Sequence, residues 1–268
     1  MGQVVSKHGI IQRQLGDLCL DQNVDIRNMA AVTPDTLLIS NEGKKRVQLL
    51  DSRTGWLLCE VQLQNIPGIM CLTDRNTAAV CVGLDKIQMI QVEYKTLILG
   101  RVVAVGKNVS GITSSNNTLV VSYWMKPWLE KVSMDGKVHK QFDNEGYPEH
   151  FTSPMFMCSR PDGSVFISDT MTKKVTQVDV SLNLLQTFTS SLLEMPRGII
   201  AVTGDQILVC NWNNHRIVLL QPSTKTMSTL LGKKDKIFYP WSLAYCPYGK
   251  KLFVASNTST KIKVYQIA

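Results

Sequence analysis

The sequence has no apolar run that approaches the roughly 20 residues of a membrane-spanning helix. Its first segment, Met1–Leu20, contains no apolar core of the kind found in secretory signal peptides. No C-x-x-C pair occurs among the seven cysteines, which lie far apart, so the closely spaced ligands of a structural zinc site are missing. These absences predict a cytoplasmic protein with no transmembrane segment and no structural zinc.

The 268 residues are 44% hydrophobic and 19% charged, a composition with which a chain can bury a core. The net charge of +8 permits an acidic partner, a nucleic acid or a membrane surface, and selects none of them. The apolar runs are short, rich in Val, Ile and Leu, and separated by Asp-Gly, Gly-Asp and Asn-Asn turns. This pattern predicts strands and turns rather than long helices.

One pattern of short apolar runs and polar turns recurs six times, most clearly in Ser153–Asp179, Met195–Leu220 and Tyr239–Tyr265. In every copy the residue that ends the central apolar run is followed, seven positions later, by another apolar residue. These six anchor residues are Ser40, Val80, Ser122, Ser168, Cys210 and Ala255. Their separation of 40 to 46 residues is typical of propeller blades with four strands each. The chain is therefore predicted to be all-β, a single six-bladed β-propeller domain over residues 1–268.

The two ends of the chain predict how this ring closes. The last copy of the repeat stops at Ala268 after only three strands, while an extra strand-like segment, Gly9–Leu20, precedes the first copy. That segment is similar to the fourth strands elsewhere, such as Leu184–Leu193. We therefore expect the N-terminal strand, at about residues 9–20, to complete the last blade, because closure removes exposed strand edges.

The segment Asn211–Ile217, which reads N-W-N-N-H-R-I, resembles the motif that names the NHL repeats. Weaker versions occur at residues 40–47, 168–175 and 256–262. In six copies the resemblance covers essentially the whole chain, which looks like the six-bladed NHL propeller at the C-terminus of tripartite-motif (TRIM) ubiquitin ligases. The RING, B-box and coiled coil of that family do not occur in the sequence, so no ligase activity of its own is expected. The resemblance implies a recognition module for a protein or an RNA.

The residues that enter the predicted inner strands would line the central channel, where a propeller enzyme would hold its metal or catalytic groups. None of these twelve positions is Asp, Glu or His; the pairs are Arg27-Asn28, Pro67-Gly68, Ser110-Gly111, Met155-Phe156, Arg197-Gly198 and Trp241-Ser242. Calcium sites need several oxygen ligands, usually with carboxylates among them. We therefore expect no enzyme, no cofactor and no metal; a calcium-dependent gluconolactonase-like hydrolase is the weakest alternative. His215 is expected to be a solvated loop residue rather than a catalytic one, because no nucleophile or carboxylate is implied beside it.

The loops that precede the inner strands and the loops that join second to third strands should share one rim of the propeller. Four residues are placed near the channel mouth: Arg27, Met155, Arg197 and Trp241. Seven are placed further out: Lys44, Lys45, Trp124, Lys126, Trp128, Lys173 and Trp212. Trp, Tyr and Arg dominate protein hot spots, so the favoured function is recognition of a protein partner by a monomer. The resemblance to the TRIM proteins implies that this partner is a ubiquitin-ligase component or substrate. Single-stranded RNA is the alternative on the same face, because bases stack on aromatic rings and phosphates pair with basic residues.

Two features of the rim also have a purely structural interpretation. A basic residue directly precedes the apolar anchor partner in five of the six copies, so these cations belong to the repeat architecture: Arg46, Lys86, Lys174, Arg216 and Lys261. Trp212 and Trp241 fit an exposed rim position and a position wedged between two blades equally well.

The first residues, M-G-Q-V-V-S, match the pattern for N-myristoylation. Gly2 is therefore a candidate acylation site, with a chance match as the alternative. A single myristoyl chain gives only marginal membrane binding and would need a basic patch beside it.

Overall fold

A computed structural model describes residues 10–20, 24–124, 128–142, 151–257 and 260–268. Gly2 and Lys126 lie outside these described residues. The described part of the chain forms 24 strands and one short 3-10 helix, Lys233–Asp235. No helix in it is long and apolar enough to cross a membrane.

The strands form six antiparallel sheets of four strands, one sheet for each predicted blade. The first strand along the chain is β1 (Ile11–Cys19). Blade 1 contains β2 (Ile26–Thr33), β3 (Thr36–Asn41), β4 (Arg46–Asp51) and β5 (Leu57–Gln62). Blade 2 contains β6 (Pro67–Leu72), β7 (Thr77–Val82), β8 (Lys86–Glu93) and β9 (Thr96–Ala104). Blade 3 contains β10 (Val109–Ser115), β11 (Thr118–Tyr123), β12 (Leu129–Ser133) and β13 (Val138–Phe142).

The second half of the chain repeats this order. Blade 4 contains β14 (Pro154–Ser159), β15 (Val165–Asp169), β16 (Lys174–Val178) and β17 (Leu184–Thr189). Blade 5 contains β18 (Pro196–Ala201), β19 (Ile207–Asn211), β20 (Arg216–Gln221) and β21 (Thr226–Leu231). Blade 6 contains β22 (Pro240–Cys246), β23 (Lys251–Ser256) and β24 (Lys261–Ile267), with β1 as its fourth strand.

The first strand of every blade contacts the first strands of both neighbouring blades, and β22 contacts β2. These six strands are therefore the inner wall of a closed ring, and the prediction of a six-bladed propeller is confirmed.

The N-terminal strand closes the ring, as predicted. Strand β1 pairs antiparallel with β24, so that Ile11 faces Ile267 and Leu18 faces Ile262. Ile11 and Leu18 are each only 3% exposed. The segment that leads into blade 1 is thus held in blade 6 by main-chain hydrogen bonds and by buried apolar side chains.

The second strand of each blade lies between two neighbouring blades and is buried on both faces. In β3, for example, Leu37, Leu38 and Ile39 are completely buried. A strand that is covered on both faces needs apolar residues at consecutive positions, which explains the continuous apolar runs of the repeat. At the end of this strand a recurring serine joins the blade to the next one: the Ser40 hydroxyl donates to the Gly68 carbonyl (2.9 Å) and the Ser168 hydroxyl to the Arg197 carbonyl (2.6 Å).

In blade 2 the predicted anchor, Val80, lies one residue before the residue that pairs with Ile87. In the other five blades the anchor pairs directly with the apolar residue seven positions later, as Ser40 does with Val47. In blade 2, Ile87 pairs with Cys81, and Val80 pairs with Gln88. The cause is the turn between β7 and β8, which has three residues instead of four and begins with Gly83 at a φ of 65°.

Candidate binding face at the channel mouth

In each antiparallel blade, the loop before the first strand and the loop between the second and third strands lie at the same end. We call this end of the propeller the rim face. Contacts between the two kinds of loop confirm the arrangement. Arg27, at the start of β2, lies 3.8 Å from Glu42 in the loop between β3 and β4. The Trp212 ring, between β19 and β20, lies 5.0 Å from the Tyr239 ring, which precedes β22.

The asparagine or aspartate that ends the second strand fixes the rim loops in three blades. The Asn211 side-chain oxygen accepts hydrogen bonds from the backbone N–H groups of Glu194 (3.1 Å) and Met195 (2.9 Å). In blade 4, Asp169 accepts bonds from the backbone N–H groups of Thr152 (2.6 Å) and Ser153 (2.8 Å). In blade 1, Asn41 bonds the N–H groups of Asp25 (3.3 Å) and Lys44 (3.2 Å). These buried residues of the repeat motif therefore position the rim loops.

Four residues that the sequence placed near the channel mouth lie together in the structure. The guanidinium carbons of Arg27 and Arg197 lie 5.0 and 4.7 Å from the centroid of the Trp241 ring. Both guanidinium groups also donate to the Met155 sulfur, each over 3.8 Å. We call Arg27, Met155, Arg197 and Trp241 the channel-mouth cluster.

Trp241 is held in this cluster on several sides. Its indole N–H donates to the Arg27 carbonyl over 2.9 Å, and its ring meets Phe156 edge to face. Gly198 allows the neighbouring inner strand to approach, since a Cβ there would lie 2.7 Å from the Trp241 carbonyl oxygen. Trp241 is half-buried between two blades and also lies at the channel mouth. It therefore combines the two positions that the sequence allowed, a rim position and one wedged between blades.

The cluster carries more positive than negative charge. Glu42 forms an ion pair with Arg27, and its side chain is 39% exposed. Among the described residues no carboxylate pairs with Arg197, and its buried Nε has no hydrogen-bond partner there. Burial, followed by the nearby charge of Arg27, lowers the pKa of Arg197. The positive charges of Arg27 and Arg197 are therefore held close together. Among the described residues only Arg27 has a carboxylate beside it.

A groove opens beside the cluster, at the rim ends of blades 1 to 4. Its volume is about 620 Å³, and its walls include Arg27, Glu42, Lys45 and Met155. Three exposed apolar side chains also line it: Ile66 is 47% exposed, Leu84 61% and Trp124 50%. We call this feature the rim groove. The sequence pattern predicts Trp124 and Lys45 on the rim. It does not predict Ile66 and Leu84 there, because an apolar residue in a turn does not by itself indicate a binding site.

The remaining predicted rim residues are dispersed. Trp212 is half-buried, packs on Tyr239 and donates from its indole N–H to the Asn257 side chain over 3.0 Å. Lys173 is exposed in blade 4, beside a different depression that contains Glu194. The Lys44 backbone N–H is bonded to Asn41, as described above. The structure therefore brings one aromatic and one lysine of the outer set, Trp124 and Lys45, to the groove.

His215 differs from the solvated residue that was expected. Its Nδ1 accepts a hydrogen bond from the Tyr239 backbone N–H (3.0 Å), and its ring packs edge-on against the Tyr239 ring at 4.2 Å. The residue is half-buried, and burial, followed by the charge of Lys233, lowers its pKa. His215 therefore joins blade 5 to blade 6.

The inner wall of the channel contains a second cavity, of about 210 Å³, lined mostly by apolar residues and backbone. Cys158 lies in this wall, and burial raises the pKa of its thiol to about 12, so it stays protonated at neutral pH. In the described ranges no three His, Cys, Asp or Glu residues come close enough together to hold a metal ion.

No known protein-family model matches this chain. No curated protein matches it either. Solved structures do. The virginiamycin B lyase of Staphylococcus aureus is 12% identical, with a TM-score of 0.71, and the match covers 94% of this chain and 99% of that one. A streptogramin B lyase is 11% identical, with a TM-score of 0.69 and coverage of 94% and 97%. The β-propeller domain of Myceliophteria thermophila Cps50 (Swd1) is 11% identical, with a TM-score of 0.66 and coverage of 91% and 83%. At such low identity these likenesses establish the propeller fold and nothing further.

Proposed function

We propose that this chain is a non-catalytic recognition module that binds a protein partner through the rim face. The observation that carries the proposal is the rim groove, in which Ile66, Leu84 and Trp124 are exposed next to the arginines of the channel-mouth cluster. Grouped, exposed apolar side chains with a charged border are typical of protein-binding surfaces. Trp and Arg are also the residue types that contribute most to such interfaces.

The state of the tryptophans favours a protein over single-stranded RNA. Sequence-tolerant RNA binding needs aromatic faces that are free to stack on bases. The Trp241 ring is already in contact with two guanidinium groups and Phe156, and Trp212 packs on Tyr239. Trp128 is half-buried and meets Tyr123 edge to face. Trp124 is the one rim tryptophan that is exposed, at 50%. A single exposed ring offers an RNA only a small surface on which to stack.

The proposal also includes a connection between this chain and ubiquitin ligation. It is supported by the resemblance of Asn211–Ile217 to the NHL motif and by the weaker copies of that motif. The partner would then be a component or a substrate of a TRIM-type ubiquitin-ligase system, and the propeller would select it.

The test compares two faces of the same propeller. The rim variant carries Leu84→Asp and Trp124→Ala, both at exposed positions. The control variant carries Trp56→Ala, because Trp56 is 75% exposed in the loop between β4 and β5 at the opposite end. Proteins captured by the wild type are identified by mass spectrometry, and the affinity of each purified candidate is then measured. We expect the control to retain a partner for which the rim variant loses at least about tenfold in affinity.

Two results would contradict the proposal. One is a set of partners that bind the rim variant and the wild type equally well. The other is capture that disappears after ribonuclease treatment, together with enrichment of a short motif from a randomised single-stranded RNA pool at near-physiological salt. That second result would identify the RNA alternative as correct.

A further inference from the structure

We propose that Arg27 and Arg197 form a receptor for a carboxylate, supplied by an aspartate or glutamate that the protein partner presents next to an apolar residue. The inference rests on the proposed function, since it specifies the chemistry of the segment that the rim face binds. It depends on the channel-mouth cluster, whereas the proposed function depends on the rim groove.

Both guanidinium groups have N–H donors that no strong acceptor satisfies among the described residues. An arginine carries five N–H donors, and a thioether sulfur is only a weak acceptor. The Met155 sulfur, at 3.8 Å from each group, satisfies little of that capacity. The Glu42 carboxylate lies 3.8 Å from the Arg27 Nε, which is an ion pair beyond ordinary hydrogen-bond length. Among the described residues no strong acceptor lies within ordinary hydrogen-bond length of either group, so water or a ligand supplies one.

The two arginines are held in position without a ligand. Both lie within 5.0 Å of the Trp241 ring centroid, and Trp241 is bonded to the Arg27 carbonyl. The Arg197 backbone is fixed in turn by the Ser168 hydroxyl. A preorganised pair of guanidinium groups loses little conformational freedom on binding, which favours affinity.

The positive charges of Arg27 and Arg197 also favour an anionic ligand. Arg27 and Arg197 repel each other, and only Arg27 has a carboxylate beside it among the described residues. An incoming carboxylate would relieve this repulsion, and the aromatic ring and the thioether would strengthen the attraction because they exclude water. Guanidinium groups bind carboxylates in a bidentate, planar geometry, so the pair is suited to a side chain of this kind.

The channel-mouth cluster is continuous with the rim groove. Arg27 and Met155 belong to the cluster and also line the rim groove. A short peptide segment could therefore place its acidic side chain on the arginines and a neighbouring apolar side chain against Ile66, Leu84 and Trp124. The phosphate of an RNA would find the same arginines, but it has no apolar group to fill the groove.

The experiment uses a phage-displayed library of random short peptides, selected on the whole chain. We expect the enriched peptides to share an Asp or Glu beside an apolar residue. A synthetic copy of an enriched peptide is then measured by fluorescence polarisation against the wild type, Arg197→Met and Arg27→Met. The matched control is Lys234→Met, which removes one positive charge from the same face, at an exposed position in the loop before β22 that belongs neither to the cluster nor to the predicted binding rim.

The affinity should fall at least about tenfold with either arginine variant and remain within about twofold with the lysine control. Replacing the peptide's acid by its amide should cause a similar loss on the wild type and little further loss on Arg197→Met. This peptide change leaves the protein untouched, so the test stands even if an arginine variant folds poorly. Arg197→Lys should recover only part of the affinity, because it keeps the charge and loses the planar fork.

The proposal is overturned if no peptide is enriched, if the enriched peptides lack acidic residues, or if the amide peptide binds as well as the acid. When peptides without acids still bind the rim groove and lose affinity with Leu84→Asp, the proposed function stands and the carboxylate receptor is wrong. When binding is insensitive to Leu84→Asp as well, both proposals fail. Enrichment of RNA that is lost in Arg197→Met would also overturn the assignment to a carboxylate.

Discussion

The indole N–H of Trp241 donates a 2.9 Å hydrogen bond to the backbone carbonyl of Arg27. The two residues are 214 positions apart in the sequence and enter the inner strands of blades 6 and 1, the blades between which the ring closes. One contact therefore helps to close the propeller and also fixes an arginine at the channel mouth. Stability and the geometry of the candidate site are linked through this pair.

Trp241→Phe tests this link. Phenylalanine keeps an aromatic ring in contact with Phe156 and the arginines but removes the indole N–H. We expect a loss of about 1 kcal/mol in the free energy of unfolding, the usual contribution of a partly buried hydrogen bond. Urea denaturation measures it. Trp56→Phe is the matched control, because Trp56 is 75% exposed, and it should change the unfolding midpoint little. Equal midpoints for the two variants would show that the hydrogen bond does not contribute.

Closure by the N-terminal strand can be tested with two leucines of β1. Leu18 is 3% exposed and faces Ile262, whereas Leu15 is 40% exposed on the same strand. Leu18→Ala should cost roughly 2–5 kcal/mol of unfolding free energy, because it leaves a cavity in the contact that closes the ring. Leu15→Ala should cost well under half of that.

Both leucine variants are compared by urea denaturation, followed by fluorescence and circular dichroism. Similar midpoints for Leu15→Ala and Leu18→Ala would mean that β1 does not pack as the structure describes. A loss of two-state behaviour in Leu18→Ala alone would be the stronger version of the expected result, since blade 6 would open while the others remain.

The ring and its closure could be predicted from the sequence because both depend on a regular period. Six anchors with nearly equal spacing define equivalent positions, and equivalent positions in a propeller meet around one axis. For this reason the sequence alone predicts that Arg27, Met155, Arg197 and Trp241 lie together. Each of them is the residue that enters, or nearly enters, an inner strand, and the strand-end position was the only information needed.

Contacts between neighbouring blades could not be predicted in this way. Trp212 and His215 pack on Tyr239 from the next blade, a long-range choice that the spacing does not specify. The exposure of Ile66 and Leu84 depends on how three loops surround the groove, and an apolar residue in a turn gives no indication of it. The displaced anchor in blade 2 depends on a turn shortened by one residue. In each case the missing information is the packing of loops from different blades.

Acid should weaken the fold through Asp51, at the end opposite the rim face. Partial burial alone would raise the pKa of this carboxyl, but hydrogen bonds from the backbone and side chains of Arg53 and Thr54 outweigh it and lower the pKa to about 2. A pKa that is lower in the folded than in the unfolded chain stabilises the fold above the unfolded-state pKa. That contribution is lost as the pH falls from about 4 towards 2.

Asp51→Asn should therefore be less stable than the wild type at pH 7, and the difference should shrink as the pH approaches 2. Thermal unfolding of both proteins across this pH range measures the effect. The prediction is wrong if the two stability curves run parallel from pH 7 down to pH 2, because the carboxylate would then have the same pKa in the folded and unfolded chains.

The approach of two inner strands at the channel mouth depends on Gly198. A Cβ at this position would lie 2.7 Å from the Trp241 carbonyl oxygen and 2.9 Å from the Ser242 Cα, closer than a Cβ comes to non-bonded atoms in folded proteins. Gly198→Ala should therefore push blades 5 and 6 apart, cost roughly 1–3 kcal/mol of unfolding free energy, and displace Arg197 from Trp241.

Gly43→Ala is the matched control, because a Cβ there meets its nearest neighbour, the Asp25 Cβ, at an ordinary 3.6 Å. Denaturation gives the stability, and Trp241 fluorescence, compared in a Trp241→Phe background, reports whether the cluster has moved. If Gly198→Ala matches Gly43→Ala in both measurements, the close approach of β18 and β22 does not hold the cluster together, and Arg197 must be positioned by the Ser168 hydroxyl instead.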